Sequence, residues 1–182
     1  MISSFSGWPG KIVVGEGALS ALPQEILALH KKRVILFSGP HISATPMVTD
    51  TIRQMQAAGL DVLLFNRIGA NPTDTMVADA AEEMRSFGPD IIVCIGGGSP
   101  IDCAKAANVV YTHGGQVSDY NVNLGGIERI ENKVLPFIAV PTTAGTGTEV
   151  TDVGVITDTG RHVKFGVKSP YLVPTVAVLD PL

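Results

Sequence analysis

Two glycine-rich segments hold the residues best suited to chemistry. The first reads Gly96-Gly97-Gly98-Ser99-Pro100-Ile101-Asp102-Cys103-Ala104-Lys105, directly after the most apolar stretch of the chain, residues 91–95. Ser99 is a good N-cap and Pro100 suits a first helical position, where its missing donor has no partner to lose. A helix over 101–111 would then open at the glycine turn. A helix mouth presents free N–H groups and the positive end of a dipole, which favours anions and phosphate above all. Glycines let ligand oxygens approach the main chain without a Cβ in the way. The segment is neither G-x-G-x-x-G, since Ile101 stands at the third glycine position, nor a Walker loop, since no G-K-[ST] follows. Two readings stand: a cradle for a phosphate-bearing ligand, or a tight strand-to-helix turn. Asp102 in the first helical turn gains from the dipole but would repel a phosphate. It should therefore face hydroxyls or an amide of the ligand, or cap the helix. Lys105, three residues on, can share its face, either solvated or as a partner to Asp102.

The second segment is Pro141-Thr142-Thr143-Ala144-Gly145-Thr146-Gly147-Thr148-Glu149. Threonine hydroxyls both donate and accept, which suits ribose and carboxamide groups. A polar surface turn using Gly for positive φ is the competing reading. Two such loops in one domain gain weight together, because both can border one crevice.

The elements that must position these loops show in the hydrophobic periodicity. Residues 11–14 form a short strand. Leu19, Leu22, Ile26 and Leu29 mark one helix face, and Val48, Ile52 and Met55 another, closed by Gly59. Residues 33–37 and 91–95 are continuous apolar runs, as expected of strands buried on both faces. Residues 61–65 make a further strand. Asn71-Pro72-Thr73 turns into a helix striped by Met76, Val77, Ala80, Ala81 and Met84 and stopped at Gly88-Pro89. Residues 112–132 read as an exposed polar loop, 137–140 and 176–179 as strands, and 153–156 with 163–167 as a hairpin around Asp158-Thr159-Gly160. Strands alternating with helices specify an α/β fold, a doubly wound, mostly parallel sheet with a small β-hairpin excursion. Ligands of such sheets bind beyond the strands' carboxyl ends, here 38–40, 66–71 and 96–99.

The chain has 182 residues, 45% hydrophobic and 16% charged, and a net charge of −4. That composition is a single globular domain over 1–182 and excludes a disordered chain. The acidic balance and the lack of a basic stripe argue against nucleic acid. No apolar run approaches the roughly 18 residues of a membrane span. Cys94 and Cys103 cannot frame a domain of this size with disulfides, and Cys94 reads as a reduced core thiol. Residues 1–10 show no basic segment followed by an apolar one, so a cytoplasmic location is expected. His30, His41, His113 and His162 show no H-x-x-x-H or H-to-acid pairing, so no metal site is expected from them.

Taken together, GGGSPIDCAK at 96–105 and PTTAGTGTEVT at 141–151 resemble the iron-containing (group III) alcohol dehydrogenases. NPT at 71–73 and VLDP at 178–181 fit the same pattern. The resemblance implies a Rossmann-like, dehydroquinate synthase-like N-terminal domain with NAD or NADP across the strand ends. It places the pyrophosphate at Gly96, Gly97, Gly98 and Ser99, and the nicotinamide and its ribose at Thr142, Thr143 and Thr146. It adds Gly39, Asn71, Asp102, Val155 and Lys164 to the cofactor-binding residues, Asp102 being a motif carboxylate without an assigned role. Position 39 departs from the pattern: members that prefer NAD often carry an acidic residue there, and this chain has Gly39, with His41 close by. NADP is therefore expected to be tolerated or preferred. The family's chemistry is hydride transfer between the nicotinamide and a small alcohol or aldehyde, helped by a divalent metal such as iron or zinc. The metal is held by an Asp and three His of a helical second domain, expected beyond residue 182. The resemblance thus implies cofactor binding without turnover by this chain alone, and no metal site in it. Surface that faces the second domain would be bared, so a homo-oligomer is expected. The alternative is a stand-alone, non-enzymatic nucleotide-binding or regulatory module. Glycerol dehydrogenase and dehydroquinate synthase relatives share the fold and a GGG turn, but the TTAGTGTE loop argues against them.

Overall fold

The computed structural model describes residues 3–7, by backbone only, and 10–181. The expectation for a leader in residues 1–10 lies partly outside them. The strands are β1 (Ser3–Gly7), β2 (Gly10–Val14), β3 (Arg33–Phe37), β4 (Asp61–Phe65), β5 (Ile91–Gly96), β6 (Phe137–Pro141), β7 (Val153–Asp158), β8 (Val163–Lys168) and β9 (Val176–Leu179). The helices are α1 (Leu22–Ala28), α2 (Pro40–Ser43), α3 (Pro46–Ala57), α4 (Asp74–Phe87) and α5 (Gly98–His113). The main sheet runs β1-β2-β9-β6-β5-β3-β4. Every pairing in it is parallel except β1 with β2 at one edge. β7 and β8 form a separate antiparallel hairpin.

The apolar runs make two cores because successive strand residues point to opposite faces. Ile35 and Phe37 of β3, Ile92 and Cys94 of β5, and Phe137 and Ala139 of β6 pack with α4 and α5 on one face. Val34 and Leu36, Val93 and Ile95, and Ile138 and Val140 pack with Leu22 and Ile26 of α1 and Val48 and Met55 of α3 on the other. The expected doubly wound α/β fold with its hairpin excursion is what the chain adopts. The direction of strand addition reverses between β3 and β5, so the crevice lies beyond Phe37 and Gly96. There the Ser38 hydroxyl donates to the Ile95 carbonyl at 2.8 Å, tying the two strand ends together.

Three expectations need correction. The edge strand β1 was not foreseen, because its serines and glycine carry no alternating apolar pattern. Residues 112–132 are not an exposed loop. They fold as three short 3₁₀ turns over Val117–Tyr120, Val122–Leu124 and Gly126–Arg129, with Val117, Tyr120 and Ile130 buried. His113 is not in a free turn either. It closes α5, its Nε2 accepts the Glu131 N–H at 2.9 Å, and its Nδ1 lies 2.8 Å from the Thr112 hydroxyl. No helix among the described residues is long and apolar enough to cross a membrane.

Candidate functional site

β5 ends in the glycine turn, and α5 starts one turn earlier than its sequence suggests. Gly97, in an extended conformation, is the N-cap. Ser99 therefore does not cap the helix. It and Pro100 lie inside the first turn, where a proline still costs nothing because the first four N–H groups of a helix have no partner. The first bond of this turn runs from the Ile101 N–H to the Gly97 carbonyl at 3.4 Å, which leaves the Gly98 and Ser99 amides at the helix mouth. Freed from capping, the Ser99 hydroxyl accepts the Asn71 N–H at 3.2 Å. Asn71 holds the left-handed conformation at φ 54°, which an asparagine tolerates. Its Oδ1 accepts from the Lys164 ammonium at 2.7 Å. The hairpin is docked on this turn through the Thr157 N–H to the Pro72 carbonyl at 2.8 Å. Asn71, Ser99 and Lys164, expected as cofactor contacts from three distant segments, are thus brought together.

The threonine loop lies against the glycine turn. The Thr142 N–H donates to the Gly96 carbonyl at 3.0 Å. A Cβ on Gly97 would stand 3.1 Å from the Thr143 hydroxyl, and one on Gly98 3.0 Å from the Thr146 methyl. The glycines therefore admit the loop's threonines as well as any ligand, and a side chain there would crowd Thr143 or Thr146.

At its far end the loop is held by α5. Asp102 neither caps the helix nor stands free: its Oδ1 accepts the Thr148 hydroxyl at 2.6 Å and its Oδ2 the Val155 N–H at 3.2 Å. Burial raises its pKa, against the opposing pull of Thr148, the Val155 N–H and Lys105. Lys105 is not solvated. It is 1% exposed, and its ammonium donates to the carbonyls of Thr148 at 2.7 Å, Thr151 at 2.6 Å and Val153 at 3.0 Å. Burial lowers its pKa to about 8, although Asp102, Asp152 and Glu149 all favour its charge.

A cavity of ≈ 740 Å³ opens between the threonine loop and the ends of β2 and β9. Val14, Leu19 and Leu179 give it apolar walls, and Thr142, Thr143 and Glu149 polar ones. It does not include the glycine turn, and Thr143 links the two. Its size suits part of a nucleotide. Glu149 Oε2 is buried there without a hydrogen-bond partner in the protein, an acceptor left for a ligand donor. At the end of β3, Gly39 precedes α2. A Cβ built there would have only the Ile68 carbonyl within 4 Å, at 3.8 Å, so the position is roomy and carries no charge. Val155 is exposed on the hairpin, 40% accessible. The free mouth of α5, the hydroxyl-rich loop and the unpaired acceptor fit a dinucleotide. A metal is another matter: among the described residues no group of three or more His, Cys, Asp or Glu side chains could hold one.

Sequence reasoning missed Glu149 and Asp180 and left Lys105 open. Lys105 was ambiguous, yet a single lysine within an otherwise apolar helix (Ile101, Cys103, Ala104, Ala106, Ala107) must be buried, and that signal was readable. Glu149 was passed over as part of a polar loop. Asp180 of the closing motif accepts the N–H groups of Gly17 at 3.1 Å and Leu19 at 2.9 Å, fixing the turn after β2.

A family model described as iron-containing alcohol dehydrogenase matches residues 9–181. The NAD-dependent methanol dehydrogenase of Bacillus methanolicus is 35% identical over 173 residues, which is 95% of this chain and 44% of that protein. The 4-hydroxybutyrate dehydrogenase of Cupriavidus necator is 41% identical over 166 residues, 91% of this chain and 42% of that one. The crystal structure of sulfoacetaldehyde reductase from Bifidobacterium kashiwanohense, in complex with NAD+, superposes with a TM-score of 0.89 at 29% identity. That superposition covers 100% of this chain and 47% of the other. The chain spans less than half the length of the curated relatives it matches.

Proposed function

Because the chain belongs to the iron-containing alcohol dehydrogenase family, we propose that it is the NAD(P)-binding part of an enzyme that interconverts a small alcohol and its aldehyde or ketone. The observation that carries this reading is the apposition of the α5 mouth and the threonine loop, at the ends of the adjacent strands β5 and β6 and beside the reversal point of the sheet. In this reading the amides of Gly98 and Ser99 hold the pyrophosphate, with Gly96 and Gly97 shaping the turn. Thr142, Thr143 and Thr146 meet the nicotinamide side, and Asn71, Val155 and Lys164 complete the cradle. Bound there, the dinucleotide supplies the hydride acceptor and donor. The chain's own residues orient it and exclude water. The family's divalent metal, such as iron or zinc, has no matching donor set among the described residues. Cofactor binding without alcohol turnover is the expected behaviour of this chain, even with added Fe²⁺ or Zn²⁺.

The roomy, uncharged position 39 supports acceptance of NADP. A carboxylate at this point accepts from the ribose 2′-OH and repels a 2′-phosphate, and Gly39 does neither. Calorimetric titration should show NADPH binding at least as tightly as NADH. Gly39→Asp should weaken NADPH by tenfold or more while sparing NADH. A strong NADH preference in the unmodified chain would sink the NADP assignment, and failure of both dinucleotides to bind would sink the cofactor reading itself.

A further inference from the structure

We propose that Lys105, together with Asp102, is a positioning residue for the cofactor site: the pair on α5 clamps the distal end of the threonine loop and the start of β7 without touching the cofactor. The inference rests on the cofactor reading for its consequence, but its geometry stands alone.

The loop has two anchors. At the near end the Thr142 N–H holds the Gly96 carbonyl. Between the anchors Thr143, Ala144, Gly145 and Thr146 are exposed, with Gly145 at φ 131° and Gly147 at φ 63°. Nothing in that span fixes the hydroxyls by itself. The far anchor is the α5 pair, and it is the only one built from side chains. Three main-chain carbonyls, of Thr148 in a short 3₁₀ turn, of the extended Thr151 and of Val153 at the start of β7, converge on one ammonium. Three donors meet three carbonyls, so the lysine's hydrogen-bonding capacity is filled by protein. The Thr148 and Thr151 hydroxyls lie 3.4 and 3.3 Å from the same nitrogen. Asp102 binds the same segment on both sides of the lysine, at Thr148 and at Val155. Gly154 lets β7 pass close enough for this, since a Cβ there would meet the Asp102 carbonyl at 2.9 Å. The clamp therefore sets where Thr146 stands over Gly98, where Val155 stands on α5 and, through the hairpin, where Lys164 meets Asn71.

Hydrogen exchange read by mass spectrometry, alongside dinucleotide titration, tests this on the chain as it is. In Lys105→Met, peptides within 142–155 should exchange at least tenfold faster than in the unmodified chain. Peptides of β3 and β5 should keep their protection. The dissociation constant for NADH or NADPH should rise tenfold or more at a temperature where the variant remains folded. A pH series adds a signature that simple packing lacks. The groups facing the ammonium are Asp102 on α5 and Glu149 and Asp152 on the loop. From about pH 8 upward, closing the clamp around a lysine whose pKa is lowered from 10.5 to about 8 releases a proton, so the closed loop gains as pH rises from about 8 towards 10.5. The exchange ratio of variant to unmodified chain should grow across that range. If Lys105→Met does not fold, Thr148→Val, which keeps the lysine and removes the hydroxyl bridging to Asp102, serves for the same comparison. Unchanged loop exchange in the variant, or exchange raised equally in β5, would overturn the clamp. Should the unmodified chain bind neither dinucleotide while the loop still loosens in the variant, the clamp stands and the cofactor reading falls.

Discussion

A lysine with its ammonium on three carbonyls has a cost and a sign. Lys105→Met leaves the carbonyls of Thr148, Thr151 and Val153 without their donor, and unsatisfied buried groups cost about 1–3 kcal/mol each. Partial access of water to the loop reduces the sum, and a loss of roughly 2–4 kcal/mol in urea unfolding is expected. The pH dependence runs against the usual intuition for a buried cation. The folded value is about 8 and the ordinary value 10.5. Between them the unfolded chain holds a proton that the folded chain has released, so this site adds stability as pH climbs from about 8 towards 10.5. Relative to Lys105→Met, the unmodified chain should gain roughly 1–3 kcal/mol across that window. A difference that shrinks with rising pH would contradict the assignment of the burial effect to Lys105. The same residue shows what a sequence conveys and what it withholds. Its burial was legible from its apolar neighbours, but its acceptors lie 43 to 48 residues away and on main chain, where no side-chain pattern reports them.

The elements were the more readable level. Strands β3 and β5 declared themselves as unbroken apolar runs because both faces are covered, and α4 as a clean stripe closed by Gly88 at φ 67°. The helix start at the glycine turn was misplaced because Ser99-Pro100 imitates a cap and first position, while extended Gly97, which has no side chain to signal it, does the capping. The 112–132 segment was misread because three buried apolar residues scattered among polar ones give no period. The contact of β7 with α5 leads to a direct test. Gly154→Val should force the hairpin off α5, since the added carbons would overlap the Asp102 main chain. A loss of about 2–4 kcal/mol is expected from overpacking and from release of the Asp102 bond to Val155. Gly160→Ala, at the exposed hairpin turn, should cost far less, and equal effects in thermal melts would show that β7 does not press on α5.

For the whole molecule, the exposed apolar residues are unevenly placed. Leu124 and Ile127 are 61% and 40% accessible on the 3₁₀ segment, and Val163 is 51% accessible on the neighbouring β8. The hairpin and that segment touch, and exposed apolar side chains on both favour association. Light scattering over a concentration series should show mass rising with concentration, and Leu124→Asp with Val163→Asp should return the chain towards monomer. A single mass at every concentration would count against self-association.

The sheet order also fixes the sequence of events by which the molecule assembles. β2, made from residues 10–14, meets only β1 and β9 in the sheet, and β9 spans residues 176–179. Lys11 awaits the Thr175 carbonyl, and Gly17 and Leu19 await Asp180. At ribosomal rates the first hairpin therefore waits roughly 8–30 s for its place between translation of its own residues and those of its partner strand. Such a long-range closure is slow to form and leaves a strand edge open meanwhile. Strands β1 and β2 are locked in only when β9 arrives, and residues 175–180 act as the latch that holds them.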